Sequence, residues 1–146
     1  MTTFDRRTVL RAGGVALTAA VAGCLSGNNF GDDLESHLED VGNYDGTIED
    51  HTGESEVTVQ NGDVSGISQT YAFEPPAIRI NQGTTVTWSW SGTAGHSVTE
   101  ENETFDSGVR SGPGESFTYE FDETGTYLYV CSPHSGLGQK GAVVVE

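Results

Sequence analysis

Cations are nearly absent from this chain: of 146 residues only 6 are Lys or Arg, against 22 Asp or Glu, and Lys140 is the single lysine. A phosphate backbone is held by clustered basic side chains, so a formal charge of -16 excludes a nucleic-acid partner. Methionine is limited to Met1, and cysteine to Cys24 and Cys131, a pair expected to form a disulfide outside the cytoplasm unless one of them is otherwise used. The most apolar stretch, Ala12 to Gly23, falls short of the roughly 20 residues a membrane-spanning helix needs. What the chain does have is glycine, 20 residues, beside 34% hydrophobic residues, a balance that favours short strands joined by turns. Such an anionic chain repels itself in dilute buffer, but at about 1 M salt the screening length falls to about 3 Å. A salt-rich environment is expected.

The N-terminal region reads as an address. Asp5-Arg6-Arg7-Thr8-Val9-Leu10-Arg11 precedes an apolar segment of signal length, a pattern that resembles a twin-arginine export signal. Val21-Ala22-Gly23 ends at Cys24, which resembles the lipobox of bacterial and archaeal lipoproteins, where the cysteine is lipidated and becomes the new N-terminus. The expected organisation is a signal over 1–23, an acidic flexible tether over 24–41 and one folded domain over 42–146. Removal of the signal leaves three basic side chains, Arg79, Arg110 and Lys140. Leu34, His37, Leu38 and Val41 have the spacing of a helical turn or two, yet nothing nearby offers a packing partner, so the stretch is read as spacer. His37 and His51 are expected to be solvated. The acidic run from Asp32 to Glu56 lacks the spacing of a calcium-binding loop and reads as a solvated surface.

From about Tyr44 the pattern is that of strands. Val57 to Gln60, Tyr71 to Glu74, Ala77 to Asn81 and Thr126 to Val130 are short β signals, and Ala142 to Val145 suits a buried strand. Thr84 to Trp90 has period 2, with Val86, Trp88 and Trp90 on one face; Phe117, Tyr119 and Phe121 alternate likewise. These aromatics are expected in the core. Seven or eight strands in about 100 residues predict an all-β, antiparallel two-sheet sandwich.

If Cys24 carries lipid, Cys131 is a lone thiol outside the cytoplasm, and its neighbours suggest a use. Cys131 and His134 stand three apart on a loop containing Pro133 and Gly136, and His96 lies at the end of the Trp88/Trp90 strand. Two imidazoles and one thiolate suit a trigonal copper site. A strand-anchored cage of this kind resists rearrangement between Cu(I) and Cu(II), as an electron carrier requires.

Here the chain resembles the blue copper proteins, and among them the halocyanins, plastocyanin-like proteins of halophilic archaea. The resemblance runs from Tyr44 to Glu146, through Asn43-Tyr44-Asp45-Gly46, the Thr84 to Trp90 strand, Cys131-Ser132-Pro133-His134 and the closing Lys140 to Glu146. It implies a cupredoxin-like, eight-stranded Greek-key sandwich with one mononuclear type 1 copper ion held equatorially by His96, Cys131 and His134. Two positions depart from the family pattern. The weak axial methionine falls on Gln139, an alternative donor whose harder oxygen favours Cu(II). The asparagine that follows the first histidine falls on Ser97, whose shorter reach predicts looser or different wiring around the ligands.

The expected function is therefore a one-electron carrier tethered to the outer face of the cell membrane, serving redox protein partners of a respiratory chain. It needs no small-molecule substrate and is no enzyme: one loop cysteine and four histidines are too few for the second copper centre of a copper oxidase or nitrite reductase. The alternative is a surface copper-binding or delivery lipoprotein with the same ligands. A surface lipoprotein whose β domain serves adhesion, with the site unused or filled by zinc, is a third reading.

Overall fold

The computed structural model describes residues 33–64 and 71–146. The expected export signal, Cys24 and the beginning of the expected tether lie outside the described residues. The chain divides into two units, 1–35 and 36–146, of which the second is compact. Of the first, only the start of a helical turn over 33–38 is described.

The second unit is built from β1 (Glu49–Asp50), β2 (Glu56–Gly62), β3 (Ala72–Glu74), β4 (Ala77–Ile80), β5 (Thr84–Ser91), β6 (Gly95–His96), β7 (Thr99–Glu100), β8 (Arg110–Ser111), β9 (Ser116–Phe121), β10 (Gly125–Val130) and β11 (Lys140–Val145). One sheet has the order β1, β4, β11, β10, β7 and the other β3, β2, β5, β9, while β6 pairs with β8. The expected two-sheet β architecture is present, and its sheets are mixed rather than wholly antiparallel. β2 runs parallel to β5, and β4 runs parallel to both β1 and β11. Parallel neighbours need a crossover connection, and β3 and β4 supply the one between β2 and β5.

Alternation places the core. Along β5, Thr84, Val86, Trp88 and Trp90 are buried, while Thr85, Thr87, Ser89 and Ser91 are half-buried. Val59, Trp88 and Phe121 from one sheet meet Ile78, Ile80, Tyr129 and Val143 from the other, and the Trp88 and Tyr129 rings cross edge to face at 5.3 Å. Phe117 and Tyr119 pack partly buried against this cluster. Each fully buried aliphatic or aromatic side chain is worth about 1.5–3 kcal/mol relative to exposure. A surface ion pair such as Arg79–Glu146 is worth about 1 kcal/mol at most, so the apolar interior holds the sheets together.

The segment from Ser36 to Val41 was expected to belong to a tether but folds as part of the domain. Leu38 and Val41 are buried, and so is His37, expected to be solvated. His37 Nε2 donates to the Tyr129 carbonyl at 2.9 Å, and Nδ1 lies 3.1 Å from the Glu101 carboxylate. Lys140 pairs with Asp40 at 3.1 Å. The partners of this helical spacing lie far along the chain, 92 residues away for His37 and Tyr129. Among the described residues no helix is long and apolar enough to cross a membrane.

Candidate metal centre

Each ligand candidate sits where a strand hands over to a loop. His96 closes β6, Cys131 follows β10, His134 lies in a 3-10 turn over Ser132–Leu137, and Gln139 precedes β11. The loop from Cys131 to Gln139 is tied to itself: Cys131 N–H donates to the Gln139 carbonyl (3.0 Å), His134 N–H to the Cys131 carbonyl (3.0 Å) and Gln139 N–H to the His134 carbonyl (3.3 Å). Gly138, at φ 85, allows the reversal into β11 that a residue with a Cβ disfavours.

Four potential ligand atoms converge. His96 Nδ1 and His134 Nδ1 are 3.2 Å apart, and Cys131 Sγ lies 3.7 Å and 3.4 Å from them respectively. Gln139 Oε1 stands 3.1 Å from His96 Nδ1 and 3.3 Å from His134 Nδ1. Nitrogen and sulfur donors sharing one ion at about 2.0–2.3 Å, with angles of about 100–120°, stand roughly 3.1–3.8 Å apart. The three strong donors meet that requirement. Their chemistry narrows the choice of metal, because a His-Cys-His set with a weak amide oxygen is a blue-copper donor set.

Charge points the same way. Burial pushes the Cys131 thiol above its ordinary range, with the backbone N–H groups of Ser97 and His134 opposing it. A buried thiolate therefore needs a cation beside it. Burial, and then the neighbouring His134, holds His96 below its ordinary value, which favours the neutral imidazole that binds metals. His96, Cys131 and Gln139 are fully buried, whereas His134 is only half-buried.

The surrounding residues fix this arrangement. Ser97 does reach across: its Oγ accepts the Ser132 N–H at 2.9 Å and lies 3.1 Å from Ser132 Oγ and 2.9 Å from Thr99 Oγ1. It thus joins the His96 side to the Cys131 loop. Three further residues gave no functional signal in the sequence. Tyr71 lays its ring 4.3 Å from His134 and meets His96 edge-on at 4.9 Å. Gly62 leaves room for His96, since a Cβ there would lie 3.1 Å from His96 Nε2. Asn61, fully buried in β2, accepts a hydrogen bond from Gln139 Nε2 at 2.7 Å. Gln139 Nε2 also faces the Ala72 carbonyl at 3.2 Å. The one signal that could have found any of them is a glycine within a strand, as Gly62 is at the end of β2, because it marks a place where another group comes close.

A two-sheet β fold in which His96, Cys131 and His134 converge, the one such cluster among the described residues, defines a metalloprotein of the cupredoxin type. The chain belongs to the plastocyanin/azurin family of copper binding proteins, whose family model matches residues 60–146. It is 40% identical to the halocyanin of Natronomonas pharaonis over 160 aligned residues, spanning 97% of this chain and 96% of that protein. It is 36% identical to a plastocyanin of Scenedesmus fuscus over 101 residues, 62% of this chain and all of that protein (100%). Among solved structures, a purple cupredoxin from Nitrosopumilus maritimus matches with a TM-score of 0.53 and 26% identity, covering 62% of this chain and 99% of that one.

Proposed function

We propose that this protein is a one-electron carrier, held at the outer face of the cell membrane by lipid on Cys24 after twin-arginine export, and serving redox protein partners of a respiratory chain. Its copper ion is held by His96, Cys131 and His134, with Gln139 as the weak fourth donor. The observation that carries this reading is the convergence of four donor atoms, three of them on fully buried side chains, within one hydrogen-bonded frame. Copper supplies reversible one-electron exchange between Cu(II) and Cu(I).

The chain's own residues keep the cage fixed while that exchange occurs. The backbone bonds within the loop and the Ser97 bridge leave the donors little freedom to rearrange. His134 is the donor nearest solvent, so its ring edge is the exit for an electron. Pro133, Gly136 and Leu137 surround it as an exposed, largely apolar rim. In high salt, long-range steering is screened, and docking depends on such contact. The protein makes and breaks no covalent bond.

A spectroelectrochemical titration of the copper-loaded chain in high salt tests the reading. A single reversible one-electron transition, with copper retained in both states, is expected. Loss of copper to a competing chelator upon reduction would support the delivery role and overturn the carrier.

A further inference from the structure

A glutamine side chain has two chemically opposite ends, and only its oxygen can serve as a ligand. We propose that Asn61 is the positioning residue that decides which end Gln139 offers to the metal centre. This rests on the assignment of Gln139 as the weak donor.

The argument is a chain of alternating donors and acceptors. The Ser97 carbonyl can only accept, and Asn61 Nδ2 lies 3.5 Å from it. That directs Asn61 Oδ1 the other way, where it meets Gln139 Nε2 at 2.7 Å. The Ala72 carbonyl, 3.2 Å away, takes the second Nε2 proton. With both N–H groups of the amide engaged, Oε1 is left facing His96 and His134. A flip of the Gln139 amide would set its oxygen against two acceptor oxygens and its NH2 against the metal-facing nitrogens. Asn61 and Gln139 are both fully buried, so water cannot replace the lost partners. Partners behind metal ligands typically change metal affinity by about 10–100-fold when removed.

The test is a double-mutant cycle in the full chain, with Asn61→Ala and Gln139→Met made singly and together. The readouts are Cu(II) affinity and the visible and electron paramagnetic spectra of the copper-loaded protein. In the metal-free protein the readout is the exchange rate of the Gln139 side-chain NH2 protons. Asn61→Ala is expected to weaken Cu(II) binding about tenfold, to alter the spectra and to speed Gln139 NH2 exchange. In the Gln139→Met background the same substitution is expected to leave the spectra unchanged. An equal spectral effect in both backgrounds, or none in either, would overturn the proposal. A Gln139→Met variant spectrally identical to the parent overturns instead the assignment of Gln139 as a donor. Asn61→Asp keeps an acceptor toward Nε2 and is expected to preserve slow NH2 exchange; rapid exchange in that variant would also contradict the proposal. It serves in the cycle if Asn61→Ala fails to fold.

Discussion

The two histidines of the centre live in different surroundings. His96 is fully buried, with Gly62 against its far edge and the Ser97 bridge beside it, and its Nε2 has no partner among the described residues. His134 is half-buried, stacked under Tyr71 and ringed by exposed loop residues. One histidine is therefore locked by packing, and the other is left reachable. A carrier needs both properties at once: a cage that does not relax, and one edge through which a partner can couple.

The largest effect is expected where packing is tightest. At Gly62, φ is +133° and a Cβ would overlap the Ser91 carbonyl oxygen while crowding His96 Nε2. Gly62→Ala should destabilise the domain by about 1–3 kcal/mol, as overpacking does, and weaken copper binding by displacing His96. Urea unfolding with a copper titration checks this, and unchanged stability would show that the locked side is looser than the structure indicates.

On the open side the prediction is kinetic rather than structural. Leu137 is 54% exposed beside His134. Leu137→Glu should slow electron self-exchange between oxidised and reduced copies by about tenfold, equivalent to about 1.4 kcal/mol of barrier, while leaving the reduction potential in place. Line broadening in mixtures of the two oxidation states measures the rate. An unaltered rate would move the docking edge elsewhere.

The smallest effect belongs to the opposite end of β5, where His51 bridges Glu49 (2.7 Å) and Glu54 (3.0 Å). Partial burial disfavours the charged ring, but hydrogen bonds and charge from the two carboxylates outweigh it, and the folded pKa stands above the ordinary 6.5. The bridge is therefore fully in force below that ordinary value and is lost as pH rises through the raised one. His51→Gln should lower stability by about 0.5 kcal/mol near pH 5.5 at low salt, and by less near pH 8.5. A difference that grows with pH would reverse the sign of this assignment.

Much of this architecture was legible before any coordinates. The alternation in β5 and β9 and the Cys131-to-Gln139 spacing are local patterns, and local patterns survive folding. What escaped notice depends on distant pairing. The parallel register of β2 on β5 brings Asn61 and Gly62 under the site, and an asparagine in a strand does not advertise that use. His37 looked solvated among acids because its partner, the Tyr129 carbonyl, is a backbone group far along the chain. Ser97 was underestimated for a related reason: its reach is short, but the backbone brings Ser132 N–H to 2.9 Å.

The central claim is that one sulfur and two imidazole nitrogens share a single copper ion. The most direct measurement is the visible spectrum of the full chain titrated with Cu(II) in high salt, alongside Cys131→Ser. The account predicts an intense visible band that saturates at one equivalent of copper and disappears in the variant. A colourless protein, or a band that survives the loss of the Cys131 sulfur, would contradict it.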